Sequence, residues 1–395
     1  MAASIYLDNN ATTRLDPKVL QEMMPYFTEN YGNASSTNHQ FGKVAAEGVQ
    51  TARLRVADLI GATDREITFT SGATESINIA IKGVYNRYQS IGKHIITCQT
   101  EHKAVLDVCR SLEKQGAEVT YLAVDSLGNI NLQELRNAIR KDTVLIALMY
   151  ANNETGVIHP IHDIASIASE KKVLFFCDAT QAVGKVPISL KNIDIDMMAF
   201  SAHKIYGPKG VGALYIKRKT RRIQLEPLMM GGGQENGLRG GTLNVPGIVG
   251  MGTAALLCKQ TMLEESKRLE TLRNHLQESL LKLESTAVNG LINNRLPNVS
   301  NITFRFLKAE HIMVSLGNIA LASGSACSTG SLDPSHVLLA MGLNKEDAHA
   351  SLRFSLGRFN TEEEIDQAIA LVSKKVKELR EESPAWQLFK SGLID

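Results

Sequence analysis

The sequence predicts an α/β protein: a mostly parallel central sheet with helices on both faces, joined to a smaller α+β domain. Three observations carry that expectation. Short apolar runs alternate with stretches of helical apolar spacing from Glu66 to Ile216. Two runs, Val144–Met149 and Val173–Cys177, lack any polar alternation, as strands covered on both faces require. After Leu296-Pro297 the rhythm changes. Asn301–Phe306 and Ser351–Leu356 come close to period two, which predicts half-buried antiparallel strands. We place a large domain at 15–260 and a small one at 1–14 and 261–395.

Composition narrows the class. A chain of 395 residues is too long for one small core, and 44% apolar with 21% charged residues is ordinary for a globular protein. The formal net charge of +2 gives no global field for nucleic acid. Cys98, Cys109, Cys177, Cys258 and Cys327 are scattered, odd in number and free of C-x-x-C spacing. That pattern predicts a reducing, cytoplasmic setting and neither a disulfide framework nor a zinc site. The strand pattern beginning at Ser4-Ile5 leads us to expect no signal peptide, and no apolar run is long enough for a membrane span.

Taken in order, Ile5-Tyr6-Leu7 is a short strand running into the polar loop Asp8–Thr13. Asp16-Pro17 opens a helix, with Asp as cap and Pro at the first helical position. Phe41–Ile60 has helical spacing, with Arg53 and Arg55 facing out. Glu66–Thr70, His94–Cys98 and Val119–Leu122 are strands, separated by helices that begin near Ala73 and His102. Leu132–Ile139 is a helix, and Gly212–Ile216 is the strand before a basic turn at Lys217–Arg222. Gly231–Thr242 reads as a Gly-rich loop with no helix of its own. A long helix over Val249–Leu283, with room for a break inside, follows it. Thr361 and Glu364 form a capping box for the last long helix.

The chemistry concentrates at strand ends. An apolar run closes on Ser201-Ala202-His203-Lys204, and a lysine there is costly unless it has a partner or a task. A Schiff base to an aldehyde cofactor is one such task, since burial frees the amine as a nucleophile. One strand earlier, Val173–Cys177 delivers Asp178. A lysine for the aldehyde and a carboxylate for the pyridinium nitrogen are the pair that pyridoxal 5'-phosphate requires. Ser71–Glu75, between a strand and a helix start, has the form of a phosphate cradle, although a plain capped helix would look the same. His102 is either structural or a ring-stacking acid/base, and Asn153 either a turn residue or a donor to an anion. Small polar residues surround Cys327, which favours an exposed reactive thiol over a buried one.

In order along the chain stand Tyr6–Thr13 (YLDNNATT), Thr70–Glu75 (TSGATE), Asn152-Asn153-Glu154, Asp178–Gln181 (DATQ), Ser201–Lys204 (SAHK) and Ser323–Cys327 (SGSAC). With these motifs the chain resembles the cysteine desulfurases of the NifS/IscS group, which are class V, fold type I pyridoxal phosphate enzymes. The resemblance covers nearly the whole sequence. It implies that Lys204 carries the internal aldimine, Asp178 pairs with the pyridinium and Gln181 contacts the ring hydroxyl. It also implies that His102 stacks on the ring and shuttles protons. Ala73, Thr74, Ser201 and His203 would hold the phosphate, joined by Thr242 from the second subunit of a homodimer. Asn153 and Arg353 would grip the carboxylate of L-cysteine. Cys327 would take the sulfur as a persulfide and hand it to a protein acceptor such as an iron–sulfur scaffold, where it could serve as a transient iron–sulfur ligand. No resident metal, nucleic acid or membrane partner is implied.

Two features depart from the housekeeping members of the group. Gln234 and Asn236 stand where those members usually show His and Arg, and the ending Ser391–Asp395 does not resemble their scaffold-binding tail. The competing enzyme readings are a class V aminotransferase and a cystine or selenocysteine lyase, which need no reactive cysteine. A non-catalytic protein that kept the fold is the reading from another class, and intact Lys204, Asp178 and His102 argue against it.

Overall fold

The computed structural model describes residues 4–218, 223–323 and 333–393. The chain opens with β1 (Ile5–Tyr6) and α1 (Pro17–Met23), which Asp16 caps by accepting from the Lys18 N–H. After α2 (Pro25–Thr28) and α3 (Gln40–Ile60), strands and helices alternate. They are β2 (Ile67–Thr70), α4 (Ala73–Tyr88), β3 (His94–Cys98), α5 (Lys103–Glu113), β4 (Glu118–Leu122), α6 (Leu132–Ala138), β5 (Thr143–Ala147), α7 (Ile161–Lys171), β6 (Leu174–Asp178), β7 (Met197–Ser201) and β8 (Gly212–Ile216).

Seven of these strands make one sheet in the order β2-β8-β7-β6-β5-β3-β4. Only β8 runs against the others, pairing antiparallel with β2 and β7. The uninterrupted apolar runs are explained by two cores, one on each face. Along β6, Phe175 and Cys177 enter the core shared with α3 and α7, while Leu174 and Phe176 enter the core shared with α4 and α5. Period two persists, but both sides are apolar. Gly212 is forced by close approach: a Cβ there would lie 2.6 Å from the Gly72 Cα and 2.8 Å from the Phe200 carbonyl oxygen. The start of β8 thus lies against the turn that enters α4.

Next comes α8 (Val245–Leu280), an unbroken helix of 36 residues that starts earlier than the apolar spacing suggested. Asn244 caps it and Pro246 sits in its first turn, signals that mark the true start. At about 1.5 Å per residue it spans roughly 54 Å. Its first half packs into the α3 core, and Leu269, Leu272, Leu276 and Leu280 pack into a third core.

That third core lies under a four-stranded antiparallel sheet of order β12-β13-β10-β9. The elements here are β9 (Thr286–Val288), β10 (Val299–Phe304), α9 (Ala309–Leu316), β11 (Ile319–Ala320), β12 (Ala322–Ser323), α10 (His336–Ala340), α11 (Lys345–His349), β13 (Ser351–Ser355), α12 (Glu362–Glu382) and α13 (Pro384–Lys390). β1 pairs parallel with β11, and Asp8 bridges to Ser355. The Thr361–Glu364 capping box forms as expected.

Two expectations are corrected. β10 and β13 are antiparallel but wholly buried, not half-buried. Their apolar residues, such as Ile302 and Phe354, enter the third core, while the polar face is buried against other chain: Asn301 Nδ2 donates to the Glu154 carbonyl at 3.4 Å. Arg53 does not face water; it grips the buried Glu235 with two hydrogen bonds of 2.9 and 2.6 Å. The Gly-rich loop forms no regular helix, as expected: Gln234–Gly237 is a tight turn in which Glu235 and Asn236 take left-handed φ values of 49° and 56°. No helix among the described residues is long and apolar enough to cross a membrane.

Candidate active site

The carboxyl ends of the parallel strands open on one cavity of about 660 Å³. β6 ends in Asp178 and β7 in Ser201, with Ala202–Lys204 forming a single tight turn beyond it. β2 leads through Ser71-Gly72 into α4, and β3 leads to His102, the cap of α5. This is where open α/β sheets collect ligands. Of the residues expected from the sequence, Ala73, Thr74, His102, Asn153, Asp178, Gln181, Ser201, His203 and Lys204 all line this cavity.

The polar groups are held in place. Asp178 is 6% exposed, and its Oδ1 accepts from the Thr180 N–H at 3.0 Å and the Thr180 hydroxyl at 2.5 Å. Among the described residues Oδ2 accepts no hydrogen bond. Lys204 Nζ donates to the carbonyl oxygens of Asn10 and Ala11 at 2.5 and 2.6 Å. His102 Nδ1 accepts from the Ala104 N–H at 3.1 Å. That assigns the proton of the neutral ring to Nε2. Burial pulls His102 below the ordinary imidazole range, against Asp178 and with Lys204, so the neutral form prevails at pH 7. Burial together with Lys204 and Lys209 takes His203 down to about 4. Its Nδ1 lies 3.1 Å from the Thr12 hydroxyl.

One end of the cavity suits an anion. α4 is a helix of 16 residues whose first turn, Ala73–Glu75, lines the cavity together with Ser201 and His203, and the first N–H groups of a helix favour an anion. Glu75, in the same first turn, is turned to other work: it accepts from the Ser71 N–H at 2.7 Å and from Arg239 Nε at 2.8 Å. Burial raises it, but these hydrogen bonds outweigh burial and hold it below the usual carboxylate range. An amine, a carboxylate, an imidazole and an anion cradle around one cavity are a donor set that fits pyridoxal phosphate.

Two expected residues, Arg353 and Thr242, do not line the wall. Arg353 is buried behind Asn153: its Nη2 meets Asp8 Oδ1 at 2.7 Å and its Nη1 donates to the Asn153 carbonyl at 3.1 Å. Thr242 is exposed and away from this cavity. Cys327 lies outside the described residues.

Sequence reasoning assigned no role to Asn10, Lys185, Glu101 or Glu154. Asn10 is a hub. Its carbonyl accepts from Lys204 and from Gln181 Nε2, and its Nδ2 donates to the Asn153 carbonyl at 3.1 Å. Burial raises Glu101 well above the carboxylate range, while its Oε1 accepts from the Met149 N–H at 2.6 Å. Glu154 is raised by burial to about 7 and accepts from the Ser335 hydroxyl at 2.5 Å. Asn10 and Glu154 stood inside quoted motifs, and Lys185 lies four residues after Gln181. No periodicity singles them out, because buried polar residues in loops follow no repeat.

The model of the Aminotransferase class-V family matches residues 5–368. The chain belongs to this family. The curated cysteine desulfurase IscS of Pasteurella multocida (strain Pm70) is 54% identical over 395 residues, covering 100% of this chain and 98% of the relative. Among solved structures, a NifS-like protein superposes with TM-score 0.88 at 39% identity, over 95% of this chain and 99% of its own. SspA in complex with cysteine superposes with TM-score 0.79 at 38% identity, over 91% and 100%. Within the class V enzymes the chain therefore groups with the NifS/IscS cysteine desulfurases, and its seven-stranded, mostly parallel sheet is the fold of that family.

Proposed function

We propose that this chain is a pyridoxal phosphate-dependent cysteine desulfurase that converts L-cysteine to L-alanine and keeps the sulfur as a persulfide on Cys327. The observation that carries the reading is the convergence of Lys204, Asp178 and His102 on one cavity beside the α4 N-terminus. The relatives named cysteine desulfurase and the neighbour solved with cysteine support the choice of substrate.

In this reading the cofactor supplies an aldehyde that condenses with amines and a ring that withdraws electrons from the substrate Cα. Asp178, with Oδ1 anchored by Thr180, would hold a proton on the ring nitrogen. Ala73, Thr74, Ser201 and His203 hold the phosphate, and Thr242 of a second copy completes that site in a homodimer. Lys204, whose Nζ donates to the Asn10 and Ala11 carbonyls, would hold the cofactor through its amine and would serve as the base for the substrate Cα proton. His102, neutral and protonated at Nε2, would stack on the cofactor ring and carry protons near the substrate thiol. Asn153 and Arg353 take the substrate carboxylate, Arg353 by exchanging its Asp8 partner.

The Cys327 thiolate then attacks the substrate sulfur. A sulfur–sulfur bond forms and the Cβ–S bond breaks; its electron pair stays on carbon, which takes up a proton as alanine forms. The persulfide passes to a protein acceptor such as an iron–sulfur scaffold in the cytoplasm. The third core and its antiparallel sheet, with 1–14 and 261–395, form the smaller domain that carries Cys327. Exposed Leu20, Met24, Phe27, Tyr31 and Phe41 supply an apolar surface for the homodimer.

The test is spectroscopic and chemical. Purified protein supplied with pyridoxal phosphate should gain a visible absorption band that Lys204→Ala abolishes, and should make alanine from L-cysteine. A band that survives Lys204→Ala unchanged would overturn the assignment.

A further inference from the structure

Lys185 is a buried lysine behind the cavity wall, 9% exposed, with no task in the reading above. Its Nζ donates to Gln181 Oε1 at 2.7 Å and to Asn10 Oδ1 at 3.4 Å. Its backbone is pinned from α8, where the Ser266 hydroxyl donates to the Lys185 carbonyl at 2.6 Å. Among the described residues no carboxylate is hydrogen-bonded to it. Burying an ammonium with only neutral acceptors is costly, so a core that needed only packing would favour an apolar side chain.

The geometry has a specific consequence for Gln181. A glutamine amide can sit either way round with almost the same shape. Lysine only donates, so Oε1 must face Lys185. Nε2 then faces the other way, gives one hydrogen to the Asn10 carbonyl at 3.0 Å and keeps the second for the cavity that Gln181 lines. The same Asn10 carbonyl accepts from Lys204 Nζ at 2.5 Å.

We propose that Lys185 is a positioning residue: it locks the Gln181 amide with its N–H toward the cofactor ring oxygen, and its charge acts on the amine site of Lys204 across Asn10. This rests on the reading of Lys204 as the residue that binds the cofactor. Burial lowers Lys185 to about 7, with Lys204 and Arg353 pushing the same way and Cys258 and Glu265 of α8 opposing them. Positive charge at Lys185 and positive charge at the Lys204 nitrogen therefore disfavour one another, and the effect is reciprocal.

The test is a pH titration of the visible band of the pyridoxal phosphate-loaded protein, comparing wild type with Lys185→Met and Lys185→Arg. Removing the charge removes a repulsion against the protonated form, and freeing the Gln181 amide removes a donor that favours the ionised ring oxygen. Both raise the midpoint, and we expect about one pH unit for Lys185→Met. Lys185→Arg, permanently charged, should keep the midpoint at or below that of wild type. A purely structural role would change Tm and leave the midpoint where it is, and that result overturns the proposal. If Lys185→Met does not fold, Lys185→Gln keeps a donor and the polar volume, and its midpoint should also rise; an unmoved one overturns the proposal equally. Absence of any Lys204-dependent band in wild type would overturn the reading of the site itself, and the inference with it.

Discussion

Arg353 and Asp8 form an ion pair, Nη2 to Oδ1 at 2.7 Å, between β13 and the loop that follows β1. The Arg353 side chain is 2% exposed and that of Asp8 20%. The pair ties the N-terminal segment to the second sheet, and the same guanidinium holds the carbonyl of Asn153 on the cavity wall. A planar, always-charged group is thus stored one residue behind the cavity.

Arg353→Lys should accordingly weaken substrate binding more than cofactor binding. Charge-assisted hydrogen bonds contribute about 1.5–3 kcal/mol, so KM for L-cysteine should rise roughly ten- to a hundredfold. The visible band should remain. Steady-state kinetics beside an absorption spectrum separates the two effects; a KM equal to wild type would remove Arg353 from the substrate site.

Asp178→Asn tests the other end of the cavity. The amide keeps the size and the Thr180 contact at one oxygen but cannot hold a proton on the ring nitrogen. Loss of such a fixed charge typically costs about a hundredfold or more in kcat. The variant should still bind pyridoxal phosphate through Lys204, with alanine production reduced by that factor.

How much of this was visible in the sequence depends on the kind of residue. Asp178 and Lys204 were legible because each ends a continuous apolar run, and sheet topology then places both at one edge. The helix starts at Asp16 and Thr361 were legible from local capping chemistry. Asn10, Lys185 and Glu154 were not, since their partners lie far along the chain or in irregular turns: Asn10 binds Asn298, and Glu154 binds Ser335. Alternation in β10 and β13 misled for a related reason. A polar face pairs equally well with water or with other buried polar groups, and here it meets the carbonyls of Asn153 and Glu154. The pairing of Arg53 with Glu235 spans the same kind of distance, so helical spacing alone put Arg53 in solvent.

Glu154 makes stability depend on pH. Burial raises its carboxyl from the ordinary 4.5 to about 7, so the folded state binds its proton more tightly than the unfolded chain. Its contribution is therefore fully present below about pH 4.5 and is lost as pH rises through 7. Glu154→Gln stays neutral and can still accept from Ser335. Its Tm should match wild type near pH 5 and exceed it at pH 8, by up to about 3 kcal/mol in free energy. Parallel Tm curves across that range would contradict the assignment.

Arg53→Ala leaves the Glu235 carboxylate, 2% exposed, without its partner. Breaking one side of a buried pair costs about 3–5 kcal/mol. Thermal unfolding should show that loss. Because Glu235 also accepts from the Phe69 N–H at 2.9 Å, backbone exchange at β2 should rise as well. A Tm within a degree or so of wild type would mean that the turn at Gln234–Gly237 holds without the pair.

The most direct measurement is a single turnover with limiting L-cysteine on the pyridoxal phosphate-loaded protein, quantifying alanine by chromatography and the mass of the Cys327 peptide together. The account predicts one alanine for each Cys327 that gains a sulfur atom, with both products absent from Cys327→Ser. Alanine released by Cys327→Ser at the wild-type rate would contradict it.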